Sequence, residues 1–523
     1  MNEPAFVPCR VAYWASAAPD GIALRREAIE ITWAEWHGRI GHLEKQLRAA
    51  GAARGTRVGL IMPAGEHLLS TLLALYRIGA VACPVNPQFP SDYREGLLAD
   101  LDCALVIGEE QGDNWGLGAS VTAATPPTPP QAGGNGLPGF AGSRETSNSR
   151  HELDVPLPPA CGGAGGVYTS GAGDSLSQPP TPQTTASVWH IDPAATIIFT
   201  SGSTGTPKAA VLSLRNHLEN ARISNANIPL ALGDTWLLSL PMHHVAGFGV
   251  LFRCLVAGAT IALPEPGAPL ALAVKASGAT HISLVARQLA QVLGADAHLE
   301  RLKSLLLGGS AIPAPLIDRA LAAGLPIHTS YGMTETASQI AATPPGANRA
   351  QLASSGRPLV AGAVRINEDG CIQVAGPTRF LGYWRDGALQ RPFDDAGWFT
   401  TSDQGYLDDE GFLHVTGRKD NVFIAGGENI QPEEIERALC ALPGIIQAIV
   451  VPVAHPEFGT TPVAFVACSG PLDAAEISNA LLRILPRFKV PRHYYPWPDE
   501  HAEVGLKVSR AALARRAASL QQD

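Results

Sequence analysis

Residues 196–213, TIIFTSGSTGTPKAAVLS, are the most informative stretch of this chain. They begin with an apolar, β-branched run typical of a buried strand and continue into a loop of small and hydroxyl residues that ends at Lys208. Glycine in such a loop lets the backbone approach an anion, and the N–H and hydroxyl groups can bind phosphate oxygens. The stretch therefore predicts a phosphate loop, strengthened by the lysine charge. Its predicted phosphate-binding residues are Thr200, Ser201, Gly202, Ser203, Thr204, Gly205, Thr206 and Lys208.

The phosphate loop does not follow the pattern of a P-loop ATPase. In that pattern the lysine follows glycine and precedes serine or threonine, whereas Lys208 follows Pro207 and precedes Ala209. A flexible Gly/Ser linker is the alternative interpretation. It would not explain an apolar strand on entry and a lysine on exit, so we favour a phosphate-binding loop of another kind.

Composition narrows the class of protein. The chain has 523 residues, of which 46% are hydrophobic and 16% charged, as expected of a soluble globular enzyme with several domains. Its formal net charge of -9 and its lack of a long basic run argue against nucleic acid or an anionic membrane as the main partner. We therefore expect small-molecule substrates, and the sequence leaves open whether the chain forms a homo-oligomer.

The cysteines and the N-terminus indicate the compartment. The 8 cysteines form no C-x-x-C pair and no zinc-like spacing with histidine, which favours a reduced protein. The start MNEPAFVPCRVAYW has no charged region followed by an apolar one, so no signal peptide is expected. The longest apolar stretch, residues 245–263, contains Arg253 and several glycines and is interpreted as core. These features predict a cytoplasmic protein without a membrane anchor.

The order of apolar patterns predicts an α/β fold. Helix-like and strand-like segments alternate over residues 10–108 and again after about 187, which is typical of a largely parallel sheet. Residues of about 109–187 are rich in Pro, Gly, Ser and Thr and are predicted to be a disordered insertion. Residues 397–418 predict a β-hairpin with DDEG as its turn, and the residues from 421 onward predict a compact α+β unit.

Further motifs could complete a nucleotide site. In SYGMTE, residues 330–335, Thr334 could hold a phosphate and Glu335 a magnesium ion, although a helix cap is the plainer interpretation. Asp403 and Arg418, at the two ends of the predicted hairpin, could both reach a ribose. Lys507 lies in a short apolar setting, GLKVSR. Each of these alone is more often a solvated surface residue.

Together and in this order, the motifs resemble the adenylate-forming superfamily of acyl-CoA synthetases, carrier-loading adenylation domains and luciferases. The resemblance covers residues 10–108 and 190–515. TSGSTGTPK is similar to its phosphate loop, SYGMTE to its nucleotide motif, TSD to its ribose-binding aspartate and GRKD to its hinge segment. Lys507 matches the catalytic lysine, although this chain has G-L-K where most members have G-K. Further ATP-binding residues implied by the resemblance are Gly308, Gly309, Ser310, Ser330, Tyr331, Gly332 and Met333.

The resemblance implies two half-reactions that use ATP, Mg²⁺ and CoA. A carboxylate first attacks the α-phosphate of ATP to give an acyl-adenylate, and the CoA thiol then displaces AMP. The implied organisation is a large N-terminal domain, residues 1–419, with α/β sheets and a β-rich part, and a small mobile α+β domain, residues 420–523. The small domain would rotate about Asp420, and Gly426 and Gly427 would line the CoA passage. A tight turn is the plainer interpretation of those glycines.

Several stretches are most similar to the o-succinylbenzoate-CoA ligases of menaquinone biosynthesis, among them PVNPQFP, LLSLPMHHVAGFGVLFRCL, HISLVARQL and LLLGGSAIP. The resemblance implies that His244 lies beside the acyl pocket and acts in catalysis with Lys507, Glu335 and Thr334. Because that substrate has two carboxylates and only one is activated, we predict that Arg253 and Ser283 hold the other. Ordinary core roles are the alternatives: a structural ion pair for Arg253 and a buried histidine for His244.

Three other interpretations remain at this stage. GGENI followed by P-x-E-I-E also resembles 4-chlorobenzoate-CoA ligase, so a related aryl- or fatty-acid CoA ligase is the first. A carrier-loading adenylation enzyme would share every nucleotide motif. A non-catalytic nucleotide-binding protein is the third, and the retained Lys208, Glu335, Asp403 and Lys507 argue against it.

Overall fold

A computed structural model of the chain describes residues 6–109, 119–123, 188–200, 207–295, 299–498 and 509–521. Within these ranges the α-helices are α1 (Arg10–Ala17), α2 (Trp33–Ala49), α3 (Glu66–Ile78), α4 (Ser91–Asp100), α5 (Leu214–Asn227), α6 (Val245–Ala257), α7 (Leu270–Ser277), α8 (Ala286–Leu293), α9 (Ala314–Ala322), α10 (Arg349–Leu352), α11 (Pro432–Cys440), α12 (Ala474–Leu481) and α13 (Arg510–Leu520). Short 3-10 turns lie at Leu299–Arg301, Thr334–Thr336, Lys419–Asn421 and Arg487–Lys489.

The strands of the described residues fall into two large sheets and several small ones. They are β1 (Phe6–Pro8), β2 (Ile22–Arg26), β3 (Ile29–Thr32), β4 (Arg57–Ile61), β5 (Val81–Pro84), β6 (Leu105–Glu109), β7 (Ala119–Ala123), β8 (Val188–His190), β9 (Ala194–Thr200), β10 (Lys208–Ser213), β11 (Thr235–Leu237), β12 (Thr260–Ala262), β13 (His281–Leu284), β14 (Ser304–Leu307), β15 (Ile327–Met333), β16 (Ser338–Ala342), β17 (Arg357–Pro358), β18 (Val364–Ile366), β19 (Cys371–Val374), β20 (Gly382–Arg385), β21 (Ala388–Gln390), β22 (Phe399–Leu407), β23 (Leu413–Arg418), β24 (Phe423–Ala425), β25 (Glu428–Ile430), β26 (Ile445–His455), β27 (Gly459–Cys468) and β28 (Tyr494–Pro496).

The two large sheets confirm the predicted α/β class. The nine-stranded sheet has the order β17-β16-β15-β14-β13-β11-β12-β2-β3, parallel from β15 to β2 and antiparallel at both edges. The eight-stranded sheet has the order β21-β20-β10-β9-β5-β4-β6-β7, and its central strands β9, β5, β4 and β6 are parallel. Parallel strands require covered faces, which explains their apolar sequences.

Helices α2 and α3 show how local sequence and packing cooperate. The side chain of Thr32 accepts a hydrogen bond from the Glu35 N–H, and the Glu35 carboxylate accepts one from the Thr32 N–H, which is the capping box that the sequence predicts. Such a cap is worth about 1 kcal/mol. Every residue of α3 from 68 to 78 is buried, so this helix is covered on all sides.

The predicted β-hairpin is formed by β22 and β23, which pair antiparallel in a four-stranded sheet. Its turn is closed by the Asp408 carboxylate, which accepts hydrogen bonds from the N–H groups of Glu410 and Phe412. Gly411 adopts a φ of 80°, a conformation that favours glycine. The hairpin register places Asp403 directly opposite Arg418.

The C-terminal part forms the α+β unit that the pattern predicts. Strands β26, β27 and β28 make one sheet, and an apolar cluster lies between it and the helices α11 and α12. Arg510, at the start of α13, binds the carboxylates of Glu433 and Glu436 on α11. These bonds hold helix α13 against the rest of the C-terminal α+β unit.

The prediction for residues of about 109–187 is wrong at its beginning. Glu109 is the last residue of β6, and residues 119–123 form β7, which extends the eight-stranded sheet antiparallel to β6. The β-branched Val121 and Thr122 favour a strand, and the free edge of β6 provides its hydrogen-bonding partner. The rest of that prediction lies outside the described residues.

Residues 245–263 contain helix α6 and strand β12 rather than one long apolar helix. Residues 247–255 of α6 are all buried. Among the helices described here, none is long and apolar enough to cross a membrane.

Candidate active site

The predicted nucleotide residues lie at the carboxyl ends of the parallel strands β14 and β15. Gly308, Gly309 and Ser310 follow β14, and residues 330–333 form the end of β15. Ligands in open α/β sheets bind at this edge. The Ser330 hydroxyl donates to the carbonyl of Leu307 at 2.8 Å. A Cβ atom on Gly308 would lie 2.9 Å from the Ser330 Oγ, so a larger residue there would displace the Ser330 hydroxyl.

Asp403, Arg418 and Tyr331 meet at one point. The Tyr331 hydroxyl donates to the Asp403 Oδ2 at 2.7 Å, and the Arg418 guanidinium donates to Oδ1 at 2.8 Å. Burial and the nearby Asp403 charge raise the pKa of Tyr331, so its hydroxyl stays protonated and donates. The carboxylate is thus oriented from both sides, as a group that accepts ribose hydroxyls needs to be. The sequence did not identify this contact between Tyr331 and Asp403.

Glu335 lies in the 3-10 turn that follows β15, together with Thr334. Its Oε1 accepts a hydrogen bond of 2.5 Å from the Tyr383 hydroxyl. The Lys208 ammonium lies 5.5 Å from the centre of the Tyr383 ring. Burial and the Glu335 charge raise the pKa of Tyr383. Sequence reasoning missed Tyr383, because nothing in GYWRD relates it to a glutamate 48 positions away.

The donor set fits a magnesium ion bound with ATP. Within the described ranges no group of three or more His, Cys, Asp or Glu side chains could hold a metal by itself. Mg²⁺ usually keeps several waters and binds through one or two carboxylates plus substrate phosphates. The single carboxylate of Glu335 meets that requirement, and Lys208 lies on the ring of the tyrosine that binds this carboxylate.

Two predicted elements lie outside the described residues, namely 201–206 of the phosphate loop and Lys507. The residues that flank the loop are described. Thr200 and Lys208 are paired across the antiparallel strands β9 and β10, and the Thr200 hydroxyl donates to the Lys208 carbonyl at 3.4 Å. The two ends of the phosphate loop are therefore held side by side.

Arg253 lies on α6 and is 2% exposed. Its guanidinium lies 5.1 Å from the centre of the Trp236 ring and donates to the Ser338 Oγ at 3.4 Å. Burial lowers its pKa to about 10, so the side chain remains charged at neutral pH. In the part of the chain that is described, Arg253 has no carboxylate partner, and its Nε has no hydrogen-bond partner. Burial of a charge without an opposite charge lowers the stability of the fold. Such an arrangement is typical of a residue that binds an anionic ligand.

Ser283 lies at the end of β13 and is buried with no partner for its Oγ among the described residues. Strand β13 is adjacent to β11, which carries Trp236. Arg253 thus contacts the strand next to the one that carries Ser283, and its hydrogen bond goes to Ser338. Ser338 follows the Thr-Glu motif closely, but sequence reasoning missed it because Arg253 is 85 positions away.

His244 is the residue that precedes α6, so it stands at the start of the helix that carries Arg253. Its ring centre lies 4.5 Å from that of His243. Burial lowers the pKa of His243 to about 4, so His243 is neutral at physiological pH. His244 and Arg253 therefore lie at the N-terminus and in the second half of the same helical segment, and a pocket shared by both stays a prediction.

The remaining predicted residues lie near the start of the C-terminal unit. Asp420 is part of a 3-10 turn, and its carboxylate lies 3.6 Å from the Arg418 guanidinium. Gly426 and Gly427 connect β24 and β25 with φ values of 58° and 86°, so the tight-turn interpretation is correct for both. A CoA passage beside them stays a prediction.

Gly249 offers a test of the proposed acyl pocket. A Cβ atom there would lie 3.0 Å from the Ser338 Oγ and 3.4 Å from the Arg253 guanidinium. Overpacking of this kind costs roughly 1–3 kcal/mol. We expect Gly249→Ala to raise the KM for the acid about 10-fold and to leave the KM for ATP nearly unchanged, as measured by steady-state kinetics. Gly96→Ala on α4, where the added Cβ meets nothing, is the matched control. Equal changes in both KM values would contradict this placement of the pocket.

Comparisons with known proteins identify the class. The family model for AMP-binding enzymes matches residues 11–384, and the model for the AMP-binding enzyme C-terminal domain matches residues 434–501. The chain belongs to the AMP-binding enzyme family. The family resemblance predicted from the motifs is thereby confirmed.

Individual relatives and solved structures show which members of the family the chain is similar to. The chain is 33% identical to the 2-succinylbenzoate--CoA ligase of Escherichia coli K12 over 502 residues, 96% of each chain. It is 31% identical to the same ligase of Bacillus cereus over 488 residues, 91% of each chain. Among solved structures, a point variant of E. coli MenE with bound OSB-AMS matches with a TM-score of 0.77 and 31% identity, covering 98% of each chain. Bacillus subtilis MenE in complex with ATP and magnesium ion matches at 0.73 and 25% identity, covering 94% of this chain and 96% of that one.

Proposed function

We propose that this protein is an ATP-dependent acid–CoA ligase of menaquinone biosynthesis, acting in the cytoplasm. It converts 2-succinylbenzoate to 2-succinylbenzoyl-CoA through an acyl-adenylate and releases AMP and pyrophosphate. One observation supports this substrate directly: Arg253 is a buried cation without a carboxylate partner among the described residues. The similarity to 2-succinylbenzoate--CoA ligases over nearly the whole chain supports the reaction.

In the first half-reaction, the protein must bring a carboxylate and a triphosphate together although both are anions. The phosphate loop and Lys208 bind the phosphates, and Asp403 and Arg418 hold the ribose. Lys507 bridges the substrate carboxylate and the α-phosphate where negative charge develops, so its stabilisation is largest in the transition state. A magnesium ion on Glu335 supplies further positive charge to the phosphates when bound.

The acyl pocket orients the acid. Arg253 binds the ring carboxylate of the substrate, and this leaves the other carboxylate directed at ATP. Charge-assisted hydrogen bonds to a buried arginine are stronger than neutral ones. Ser338, Ser283 and His244 complete the polar surroundings of this pocket.

The second half-reaction needs a different surface beside the adenylate. We infer that residues 420–523 form a small domain that rotates about Asp420 relative to residues 1–419. This rotation removes Lys507 and brings the turn at Gly426 and Gly427 to the passage for CoA. The CoA thiol then displaces AMP, so no covalent intermediate with the protein forms.

The test is a thioester assay on the purified protein with ATP, Mg²⁺ and CoA. Parallel reactions contain 2-succinylbenzoate, 4-chlorobenzoate or a fatty acid, and AMP release is measured with and without CoA. Preference for 2-succinylbenzoate with CoA-dependent AMP release is expected. Preference for 4-chlorobenzoate, which has no second carboxylate for Arg253, would overturn the assignment of 2-succinylbenzoate as the substrate. Adenylate and pyrophosphate formation without CoA-dependent AMP release would point instead to a carrier-loading enzyme.

A further inference from the structure

Tyr383 contacts both Glu335 and Lys208, the two groups that the proposed function assigns to magnesium and the phosphates of ATP. Its hydroxyl donates to the Glu335 Oε1 at 2.5 Å, and its ring lies under the Lys208 ammonium, 5.5 Å from ring centre to Nζ. These two residues come from different elements. Lys208 begins β10, and Glu335 lies in the turn after β15. Tyr383 is therefore a physical link between them.

The backbone around Tyr383 is firmly held. Strand β20 pairs antiparallel with β10, and this register places Tyr383 opposite Ala210. The Tyr383 ring packs edge-on against Phe380, with ring centres 4.8 Å apart. The Phe380 N–H donates to the Glu335 carbonyl at 2.8 Å. One short segment thus fixes both the backbone and the carboxylate of Glu335.

The contacts of Tyr383 determine how the charged side chains of Glu335 and Lys208 are oriented. With Tyr383 bound to Oε1, the Glu335 carboxylate has one preferred orientation, and Oε2 remains available to another ligand. The tyrosine ring also holds the Lys208 ammonium by a cation–π contact. Without the tyrosine hydroxyl, Glu335 could rotate away from this orientation, and its carboxylate would bind the magnesium ion less well.

We propose that Tyr383 is a positioning residue that presents the Glu335 carboxylate and the Lys208 ammonium to magnesium-bound ATP. The proposal rests on the ATP and Mg²⁺ part of the proposed function and is independent of the acyl substrate.

The test measures ATP binding by titration calorimetry with Mg²⁺ and with EDTA. For the wild-type protein we expect Mg²⁺ to strengthen ATP binding. In Tyr383→Phe this enhancement should shrink about 3- to 10-fold, the net loss typical of one hydrogen bond, while binding in EDTA stays nearly unchanged. Tyr93→Phe, on the exposed side of α4, is the matched control. Circular dichroism and the Tm verify that each variant is folded.

A double-variant cycle separates positioning from packing. Tyr383→Phe should have no further effect on Mg²⁺-dependent ATP binding in a Glu335→Gln background, because the group it positions has lost its charge. An equal loss in both backgrounds, or an equal loss with Mg²⁺ and with EDTA, would overturn the proposal. A wild-type protein that binds Mg²⁺-ATP but makes no 2-succinylbenzoyl-CoA would refute the proposed substrate and leave the role of Tyr383 intact.

Discussion

Lys507→Ala is expected to stop acyl-adenylate formation while it leaves thioester formation from preformed adenylate largely intact. In the proposed function the lysine charge is needed only where the carboxylate and the α-phosphate approach each other, so its removal should affect one half-reaction. Loss of one such electrostatic group costs about 10²–10³-fold in rate, and we expect at least this loss in adenylation. Pyrophosphate release measures the first step, and single-turnover reaction of synthetic 2-succinylbenzoyl-adenylate with CoA measures the second.

The control for Lys507→Ala is Lys275→Ala, because Lys275 is exposed on α7. That variant should retain both half-reactions. Arg510, three residues after Lys507, is held by Glu433 and Glu436, and both of these carboxylates are unchanged in the Lys507→Ala variant. If Lys507→Ala impaired both half-reactions equally, the lysine would have a role other than the one proposed.

Arg253→Met is expected to reduce kcat/KM for 2-succinylbenzoate by roughly 10- to 150-fold. The methionine keeps an apolar stem beside Trp236 and removes the charge, and hydrogen bonds to charged groups contribute about 1.5–3 kcal/mol. The KM for ATP should change little, because Arg253 contacts Trp236 and Ser338 rather than the nucleotide residues. Steady-state kinetics with each substrate varied in turn provides the measurement.

A substrate analogue sharpens the Arg253 experiment. 4-Oxo-4-phenylbutanoate retains the carboxylate that is activated and lacks the ring carboxylate. Wild-type protein should use it poorly, and Arg253→Met should use it no worse than the wild type does. A similar loss for both acids would show that Arg253 supports the fold rather than the ring carboxylate. Thermal unfolding of Arg253→Met and Arg253→Ala would then reveal the lost packing.

Local sequence was sufficient for many elements of the fold. The capping box at Thr32 and Glu35, the hairpin formed by β22 and β23, and the alternation of helices and strands all depend on residues near each other in the chain. Such interactions give a recognisable pattern because spacing along the backbone decides them. Residues 119–123 were missed because a strand in a Pro/Gly-rich neighbourhood needs the edge of β6 to form.

The contacts inside the site could not be predicted in the same way. Arg253 was singled out by its sequence, as a lone charge in an apolar run, but its partners Trp236 and Ser338 were not. Likewise the motif containing Glu335 was recognised, whereas Tyr383 was not. Each of these partners comes from a distant segment, and only the packing of whole sheets brings them together.

The sequence by itself therefore determined the family, the order of the nucleotide motifs and the chemical groups available for catalysis. These properties lie in short motifs, each of which carries its residue types and spacing within a few positions. The tertiary structure alone decided that Arg253 is buried without a carboxylate partner among the described residues, and that Tyr383 joins Lys208 to Glu335. The physical reason is that burial, pairing and orientation of a side chain depend on elements far away in the chain, and their positions follow from the packed core.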